Sequence, residues 1–432
     1  MIIRLRTILL STIALLGALA LAACATAEPQ GLESRVTEWA QHRAVAVPDD
    51  LSAPGEDLAE IGDATSGAEV IGLGEPGHGI SEVSRLQARY ARHLIENEGV
   101  RAIAFEMDWT LALGLDDYLR GEHDDIDGAL RRQESIWRTA EIRDLLQWIR
   151  EYNDRHEDDV QIAGTEYFAT GLAAYDAVEG YLAANAPERL GELRELFELL
   201  RPVGDDAGKH LRAYMKIEDK TPYVEAATAV VRLVTSAGGG ADHDIVVHHA
   251  EQIRSWYEGF SLPWAEIPRH RDEKAAENVR WWQRYTATRT VYWASSAHVA
   301  VAPELTITEP GSPDTVTASA GSYLAESYGP GYVAVGFTFD HGTYRTDDGT
   351  TIELAPASES WFEQPLSAVR ADRFVLRLDG EIFADIGAWL DAPLLTRGRP
   401  EHASRSEASG GTLREWFDVI VHTQEITPAE PL

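Results

Sequence analysis

The sequence predicts an α/β fold with a mainly parallel sheet flanked by helices, and a helical lobe inserted over the carboxyl ends of the strands. Short apolar strands alternate with segments of helical periodicity in both the first and the last parts of the chain. Residues 172–286, in contrast, carry long helical patterns and almost no strand signal. Alternating strands and helices are typical of parallel sheets covered on both faces. The purely helical stretch is therefore expected to be an insertion.

The individual elements follow from apolar periodicity. Two brief helices are expected over residues 31–43 and 54–61, and an amphipathic helix from Ser81 onward. Thr139 is placed to cap a further helix, and the glycine tract 238–240 should form a loop inside the helical lobe. Seven segments are predicted as strands: Glu69–Leu73, Val100–Phe105, Val160–Ala163, Thr290–Trp293, Tyr332–Val335, Phe374–Leu376 and Val419–Val421.

Residues 1–24 are predicted to be a signal peptide that ends in a lipobox. Two arginines precede an apolar run from Ile8 to Ala23, which is too short for a stop-transfer helix. The run closes with Leu21-Ala22-Ala23-Cys24, so Cys24 is the expected lipidation site. Residues 25–31 would be a tether. The protein is expected to be an extracytoplasmic, membrane-anchored lipoprotein, or a secreted protein if the leader is a plain signal peptide.

Composition narrows the classes of partner and chemistry. Cys24 is the only cysteine, so disulfides, thiolate catalysis and cysteine-ligated zinc are excluded. The formal net charge is −33, with acidic residues spread along the chain. Such a field repels nucleic acid and anionic lipid. We therefore expect a small-molecule partner, no nucleic acid, and membrane contact through the lipid anchor only.

A glycine-rich loop follows the first predicted strand and carries two candidate catalytic residues. Residues 72–79 read Gly-Leu-Gly-Glu-Pro-Gly-His-Gly, with Glu75 and His78 three residues apart at a helix entrance. The spacing satisfies G-x-G-x-x-G, but Glu75 would oppose bound phosphates, so a dinucleotide site is rejected. The helix dipole disfavours an imidazolium, and His78 is therefore expected to be neutral and able to accept a proton. The alternative is a purely structural loop.

Other predicted strands also end in acidic or imidazole side chains. Glu106 follows the second strand, Glu166 the third and His298 the fourth. Ligands of open α/β sheets bind beyond these carboxyl ends, so the set indicates a site. Neither G-x-S-x-G nor H-E-x-x-H occurs. Three histidines of the helical region are interpreted as surface or packing residues and not as metal ligands: His243, His248 and His249.

Several motifs, in their order and spacing, carry a resemblance to a known family. They are Gly74-Glu75-x-x-His78-Gly79, a helix with Glu82 and Arg85, Phe105-Glu106, Trp148-Ile149-Arg150-Glu151-Tyr152-Asn153, Arg271-Asp272 with Asn278, Gly331–Gly342, and Phe417-Asp418 to Pro431. Together they resemble the erythromycin esterase family over nearly all of residues 32–432. The resemblance implies one domain with a deep cleft that hydrolyses an ester, a macrocyclic lactone in the best-known members, without metal or cofactor.

The resemblance also implies roles for individual residues. His78 would be the general base that activates water, and Glu75 would support it. Glu106 and Arg85 would shape the polar site. His298 would be a second acid/base or binding residue. Arg85 or Arg271 is placed to stabilise the oxyanion of a tetrahedral intermediate.

Three departures from the family pattern predict a changed substrate. Ser295 stands where the family has a histidine, and Gln87 replaces an arginine. After the third strand, Gly164-Thr165-Glu166 stands where the family has glycine, then phenylalanine or methionine, then aspartate. The expected substrate-binding residues are Arg85, Glu166, Arg271 and Ser295. The leading hypothesis is an ester or lactone hydrolase. The alternatives are a lyase or cyclase that uses His78 as a base, and a non-catalytic ligand-binding lipoprotein.

Overall fold

The computed structural model describes residues 31–240, 242–346, 348–380 and 382–432. The predicted leader with Cys24 and residues 25–30 of the tether lie outside these ranges. The strands are β1 (Val45–Ala46), β2 (Val70–Glu75), β3 (Val100–Asp108), β4 (Gln161–Glu166), β5 (Arg289–Ser295), β6 (Leu305–Thr308), β7 (Thr315–Thr317), β8 (Tyr332–Arg345), β9 (Thr351–Leu354), β10 (Arg373–Arg377), β11 (Pro393–Arg397), β12 (Glu407–Thr412) and β13 (Val419–Ile426).

Helices cover both faces of the sheet and build the inserted lobe. The α-helices are α1 (Leu32–Arg43), α2 (Glu56–Thr65), α3 (Ser81–Asn97), α4 (Trp109–Leu119), α5 (Ile126–Arg131), α6 (Ala140–Asn153), α7 (Leu172–Asn185), α8 (Leu190–Leu200), α9 (Ala207–Tyr214), α10 (Thr221–Ala237), α11 (His243–Gly259), α12 (Ile267–Thr286), α13 (Ser296–Val299), α14 (Ala320–Tyr328), α15 (Ala384–Leu390) and α16 (Leu413–Trp416). Thr139 caps α6, as predicted, by accepting from the backbone N–H of Ile142 at 3.3 Å.

The central sheet has the strand order β1-β10-β13-β8-β2-β5-β3-β4, and β9 pairs with the far end of β8. The strands from β13 to β4 are mutually parallel, whereas β10 and β1 add an antiparallel edge. The predicted α/β class and mainly parallel sheet are confirmed. Each of the seven predicted strands lies within or overlaps a strand of this sheet.

The two faces of the sheet bury different side chains, because successive residues of a strand point to opposite faces. On β2, Ile71 and Leu73 face one apolar cluster, while Val70 faces another. On β3, Ile103 and Ala102 divide in the same way. Both faces are fully buried, which explains why these strands read as continuous apolar runs.

The helical lobe runs from α7 to α12 and has an apolar cluster of its own. Its last helix, α12, packs against β3, β4 and β5 and so joins the lobe to the sheet. The glycine tract ends α10 as expected, with positive φ angles at Gly238, Gly239 and Gly240. Among the described helices, none is long and apolar enough to cross a membrane.

A second, antiparallel sheet of strand order β11-β12-β6-β7 was not predicted from the sequence. Its strands are three to six residues long and are only partly buried. Short, half-exposed strands give little apolar periodicity, so the sequence contained no clear signal for them. This small sheet stands beside the carboxyl ends of the central strands and supplies one wall of the cavity described below.

A buried ion pair attaches the segment before β2 to helix α3. The guanidinium of Arg89 donates to both carboxylate oxygens of Asp57, at 2.8 and 3.0 Å, and to the backbone carbonyls of Leu51 and Ala53. The side chain of Asp57 is fully buried and that of Arg89 is 4% exposed. Removing the cation would therefore leave a buried carboxylate without its partner.

We predict that Arg89→Met lowers the free energy of unfolding by about 3–5 kcal/mol, because an unpaired buried charge costs more than the pair contributes. Urea denaturation measures this change. The matched control is Arg85→Met, one helical turn earlier and exposed, which should change the free energy of unfolding by less than about 0.5 kcal/mol. Equal effects of the two substitutions would contradict the prediction.

Candidate active site

A cavity of about 530 Å³ opens at the carboxyl ends of the central strands. The last residues of β2, β4 and β5 line it, namely Glu75, Glu166 and Ser295, together with Glu106 near the end of β3. The small antiparallel sheet closes another side. This is the position in which open α/β sheets bind ligands.

The loop after β2 holds an imidazole against a buried carboxylate. Glu75 is the last residue of β2 and is 2% exposed, and its Oε1 lies 2.6 Å from Nδ1 of His78. Gly79 turns the chain into α3 with a φ of +71°, a conformation that favours glycine. The ring of Trp137 packs against the imidazole at a centroid distance of 5.3 Å. These contacts fix the ring with Nε2 free to face other groups.

An irregularity in β3 sets the position of Glu106. Phe105 pairs with Gly164, but Asp108 pairs with Glu166, so β3 has one residue more than β4 over this stretch. Such bulges redirect side chains and are common beside active sites. At Gly164 a Cβ atom would lie 2.5 Å from the carbonyl oxygens of Met107 and Asp108. The bulge therefore requires glycine on the neighbouring strand.

A second imidazole and carboxylate pair stands on the other side of Glu106. His298 lies in the short helix α13, directly after β5, and its Nδ1 is 2.6 Å from Oδ1 of Asp272 on α12. The same Asp272 oxygen accepts from the backbone N–H of Ala320 at 2.8 Å. His298 is thus oriented by the lobe helix α12, just as His78 is oriented by β2.

Glu106 joins the two imidazoles into one cluster. Its Oε1 lies 3.7 Å from Nε2 of His78 and 3.2 Å from Nε2 of His298. Nη2 of Arg271 approaches the same oxygen to 2.6 Å. The other oxygen, Oε2, accepts from the backbone N–H of Ser295 at 2.7 Å. A single buried carboxylate therefore receives contacts from three cationic side chains.

A family profile described as "Erythromycin esterase" matches residues 95–426, well over half of the chain. The chain belongs to the erythromycin esterase family. This membership supports a hydrolase.

Solved structures share the fold. A Bacillus cereus protein is 22% identical, with a TM-score of 0.82 over 94% of this chain and 100% of that one. A succinoglycan biosynthesis protein is 23% identical, with a TM-score of 0.79 over 93% and 100% of the two chains. A mutant of erythromycin esterase EreC in its open conformation is 17% identical, with a TM-score of 0.68 over 90% and 98%.

The acidic neighbours in this erythromycin esterase family site hold both imidazoles in the protonated form. Burial by itself lowers the pKa of His78, but Glu106 and Glu75 outweigh it and raise that pKa well above 6.5. Burial likewise lowers the pKa of His298, but Asp272 and Glu106 raise it to a final value of about 10. The expectation of a neutral His78 was therefore wrong. Two carboxylates within 4 Å of the imidazole nitrogens change the pKa of His78 more than the dipole of the helix that begins three residues later.

The carboxylates of the cluster differ in their affinity for protons. Burial raises the pKa of Glu106, but His298, His78 and Arg271 pull it well below its usual value. At Glu75 and Glu166 the effect of burial is larger than that of the neighbouring cationic side chains, so the pKa values of these two carboxyls are raised. Glu106 thus carries the most firmly held negative charge among the three glutamates, and it lies between the two imidazoles.

The structure brings together seven of the eight side chains predicted for the site. They are Glu75, His78, Glu106, Glu166, Arg271, Ser295 and His298, all of which line the cavity. Arg85 is the exception. It is exposed on α3 and lines a separate groove beside Glu82 and Arg92, because the buried face of that helix carries the apolar residues and the exposed face carries Arg85. The arginine that contacts Glu106 is Arg271 and not Arg85.

Asp272 was not predicted as a site residue, although it is the direct neighbour of Arg271. The signal was present, because both residues belong to the quoted Arg-Asp motif. Of the three histidines interpreted as surface or packing residues, His248 and His249 are buried outside the cavity. His248 stacks on Trp281 at 3.9 Å, and His249 accepts from Trp109 Nε1 at 3.1 Å. The described residues contain no group of three or more side chains arranged to hold a metal ion.

We predict that Glu106→Gln lowers the pKa of both His78 and His298, because the carboxylate charge that raises both values is removed. The expected fall for His78 is about 1–3 units, as for the loss of an opposite charge at this range. Titration of the imidazole C–H resonances by NMR measures it. Glu134→Gln is the control, since Glu134 lines the same cavity but is exposed. Unchanged imidazole pKa values in Glu106→Gln would refute the role given to Glu106.

Proposed function

We propose that this protein hydrolyses an ester or a macrocyclic lactone, with His78 as the base that activates water. The observation that carries the proposal is the pair of oppositely placed imidazoles, each held at Nδ1 by a carboxylate and each directing Nε2 toward Glu106. Two acid/base groups that face one cavity are what ester hydrolysis requires, because one proton must leave water and another must reach the departing alcohol.

In the first step water attacks the carbonyl carbon, and Nε2 of His78 takes its proton in those molecules in which this imidazole is deprotonated. The hydrogen bond from Nδ1 to Glu75 holds the ring and stabilises the imidazolium that forms, as in other histidine–carboxylate pairs. A positioned base of this kind contributes roughly a hundred- to ten-thousand-fold in rate. The oxyanion that develops on the carbonyl oxygen would be stabilised by Arg271, whose guanidinium lines the cavity.

In the second step the tetrahedral intermediate collapses, and the bond between the carbonyl carbon and the alcohol oxygen breaks. The pKa of His298, raised to about 10, keeps that imidazole protonated at neutral pH. We assign it as the acid that gives its Nε2 proton to the departing alkoxide. Between the two steps both imidazoles are protonated, and the carboxylate of Glu106 stabilises both charges. The sum of both steps adds one water to the substrate. The proton left on His78 then passes to solvent, and His298 regains one from solvent, which restores the starting state.

The cavity lining favours a bulky, largely apolar substrate. Aromatic and aliphatic side chains from β8, from the small sheet and from the turns before β10 line much of it, namely Leu305, Ile307, Phe337, Phe339, Tyr344 and Phe362. Burial of apolar surface gives roughly 25 cal/mol per Å² toward binding. A macrocyclic lactone or a long acyl ester has such a surface, and this protein is proposed to meet it outside the cytoplasm, anchored through Cys24.

We predict that the purified protein adds one water to at least one member of a panel of lactones and apolar esters, as detected by mass spectrometry. His78→Asn should lower kcat/KM by about 100- to 10,000-fold. His93→Asn is the matched control, because His93 lies in the separate groove on α3, and it should retain full activity. A folded His78→Asn protein with unchanged activity would exclude His78 as the base.

Product mass also separates the alternative functions. A lyase or cyclase that uses His78 as a base would yield a product without the added water. A ligand-binding protein would retain its ligand without turnover. Either result would replace hydrolysis as the function of this site.

The pH dependence of kcat/KM follows from the signs of the two pKa shifts. His78 is a base only when deprotonated, and its pKa is raised, so the acidic limb should have its midpoint above pH 6.5. His298 is an acid only when protonated, so activity should fall again near pH 10. In Glu106→Gln both limbs should move to lower pH. An acidic limb with a midpoint below pH 6.5 in the unmodified protein would contradict this assignment.

A further inference from the structure

A second polar group lines the same cavity but takes no part in the reaction proposed above. Glu363 lies in the turns that precede β10, and Arg397 is the last residue of β11 in the small sheet. Both side chains are more than nine-tenths buried, with exposures of 3% and 8%. Ionisable side chains buried to this degree are normally fully hydrogen-bonded.

These two side chains keep unused hydrogen-bonding atoms. Oε1 of Glu363 accepts from the hydroxyl of Thr396, but Oε2 has no hydrogen-bond partner among the described residues. Nη2 of Arg397 donates to the carbonyls of Asp340 and Ala355, each at 2.9 Å. Its Nε and Nη1 likewise find no acceptor in the described part of the chain. Two residues of the cavity wall therefore keep one buried acceptor and two buried donors that are unpaired within the described part of the chain.

The surroundings of Arg397 are aromatic. Its guanidinium carbon lies 4.6 Å from the ring centre of Phe339 and 4.7 Å from that of Trp361. The rings hold the guanidinium in a fixed plane without using its N–H groups. A ligand atom that reached these groups would meet donors already in place, which reduces the entropy lost on binding.

We propose that Glu363 and Arg397 form a polar subsite that binds a neutral hydroxyl group of an otherwise apolar substrate. A hydroxyl can donate to the carboxylate oxygen and accept from the guanidinium, so it satisfies both kinds of free atom. Charged groups fit less well, because Glu363 repels an anion and Arg397 repels a cation. Burial raises the pKa of Glu363 to about 7, despite the opposing bond from Thr396, so the carboxyl also exists partly as a neutral donor.

The subsite rests on the proposed function in one respect only, namely that its ligand is the substrate of the same cavity. It can be tested without turnover. The probes are two macrocyclic ketones that differ by a single ring hydroxyl distant from the carbonyl, because a ketone has no ester bond to hydrolyse. Isothermal titration calorimetry gives the dissociation constant of each with the full protein.

The unmodified protein should bind the hydroxylated ketone about tenfold more tightly, as expected for a hydrogen bond to charged groups. Glu363→Gln and Arg397→Gln should reduce this preference to less than about twofold and leave affinity for the deoxy ketone nearly unchanged. Glu401→Gln is the control, since Glu401 lines the cavity but is exposed, and it should keep the preference. Glu363→Gln is nearly isosteric, so the test remains valid if Arg397→Gln fails to fold.

Three results would overturn the subsite: no binding of either ketone, no preference in the unmodified protein, or a preference that survives both substitutions. A purely structural role for the pair would weaken both ketones equally and so leave the ratio intact, which is the third result. If no ester is hydrolysed but the preference depends on Glu363 and Arg397, the hydrolase proposal fails and the subsite stands.

Discussion

The site depends on the buried negative charge of Glu106. A carboxylate taken out of water is stable only if nearby cations and hydrogen bonds compensate for the lost hydration. Here compensation comes from His78 after β2, Arg271 on α12 and His298 after β5, with a backbone N–H from Ser295 in addition. The carboxylate of Glu106 thus connects the sheet to the helical lobe and keeps both imidazoles protonated.

Parallel topology explains why much of this cluster could be predicted from the sequence. The order β2-β5-β3-β4 places the ends of four strands side by side, so polar residues after apolar strands meet at one edge. Glu75, Glu106, Glu166 and His298 were found by that rule alone. The rule predicts which residues are neighbours, but it does not predict their protonation states. A neutral His78 was expected because the sequence shows the helix that follows this residue and does not show how closely Glu106 approaches it.

Other parts of the site could not be predicted from the sequence, because they depend on contacts between segments that are distant in sequence. Arg85 was placed in the site by its motif, yet the rotation of α3 about its axis turns it toward solvent. Asp272 reaches His298 only because α12 crosses from the lobe to the sheet. The small sheet pairs β6 with β12, which are about a hundred residues apart, and its short strands have no periodic pattern. Such pairings are determined by tertiary packing and not by local preference.

The unpredicted small sheet also bears on the chemistry at Glu106. Charges act more strongly where water is excluded, because a low dielectric weakens their screening. The small sheet lines the cavity with the apolar side chains of Leu305 and Ile307, and in the proposed subsite its Arg397 adds a polar contact for the ligand. Substrate recognition and the electrostatics of the cluster therefore share one structural element. A substitution in β6 or β11 should consequently alter proton affinity at His78 as well as ligand choice, even without touching the imidazole.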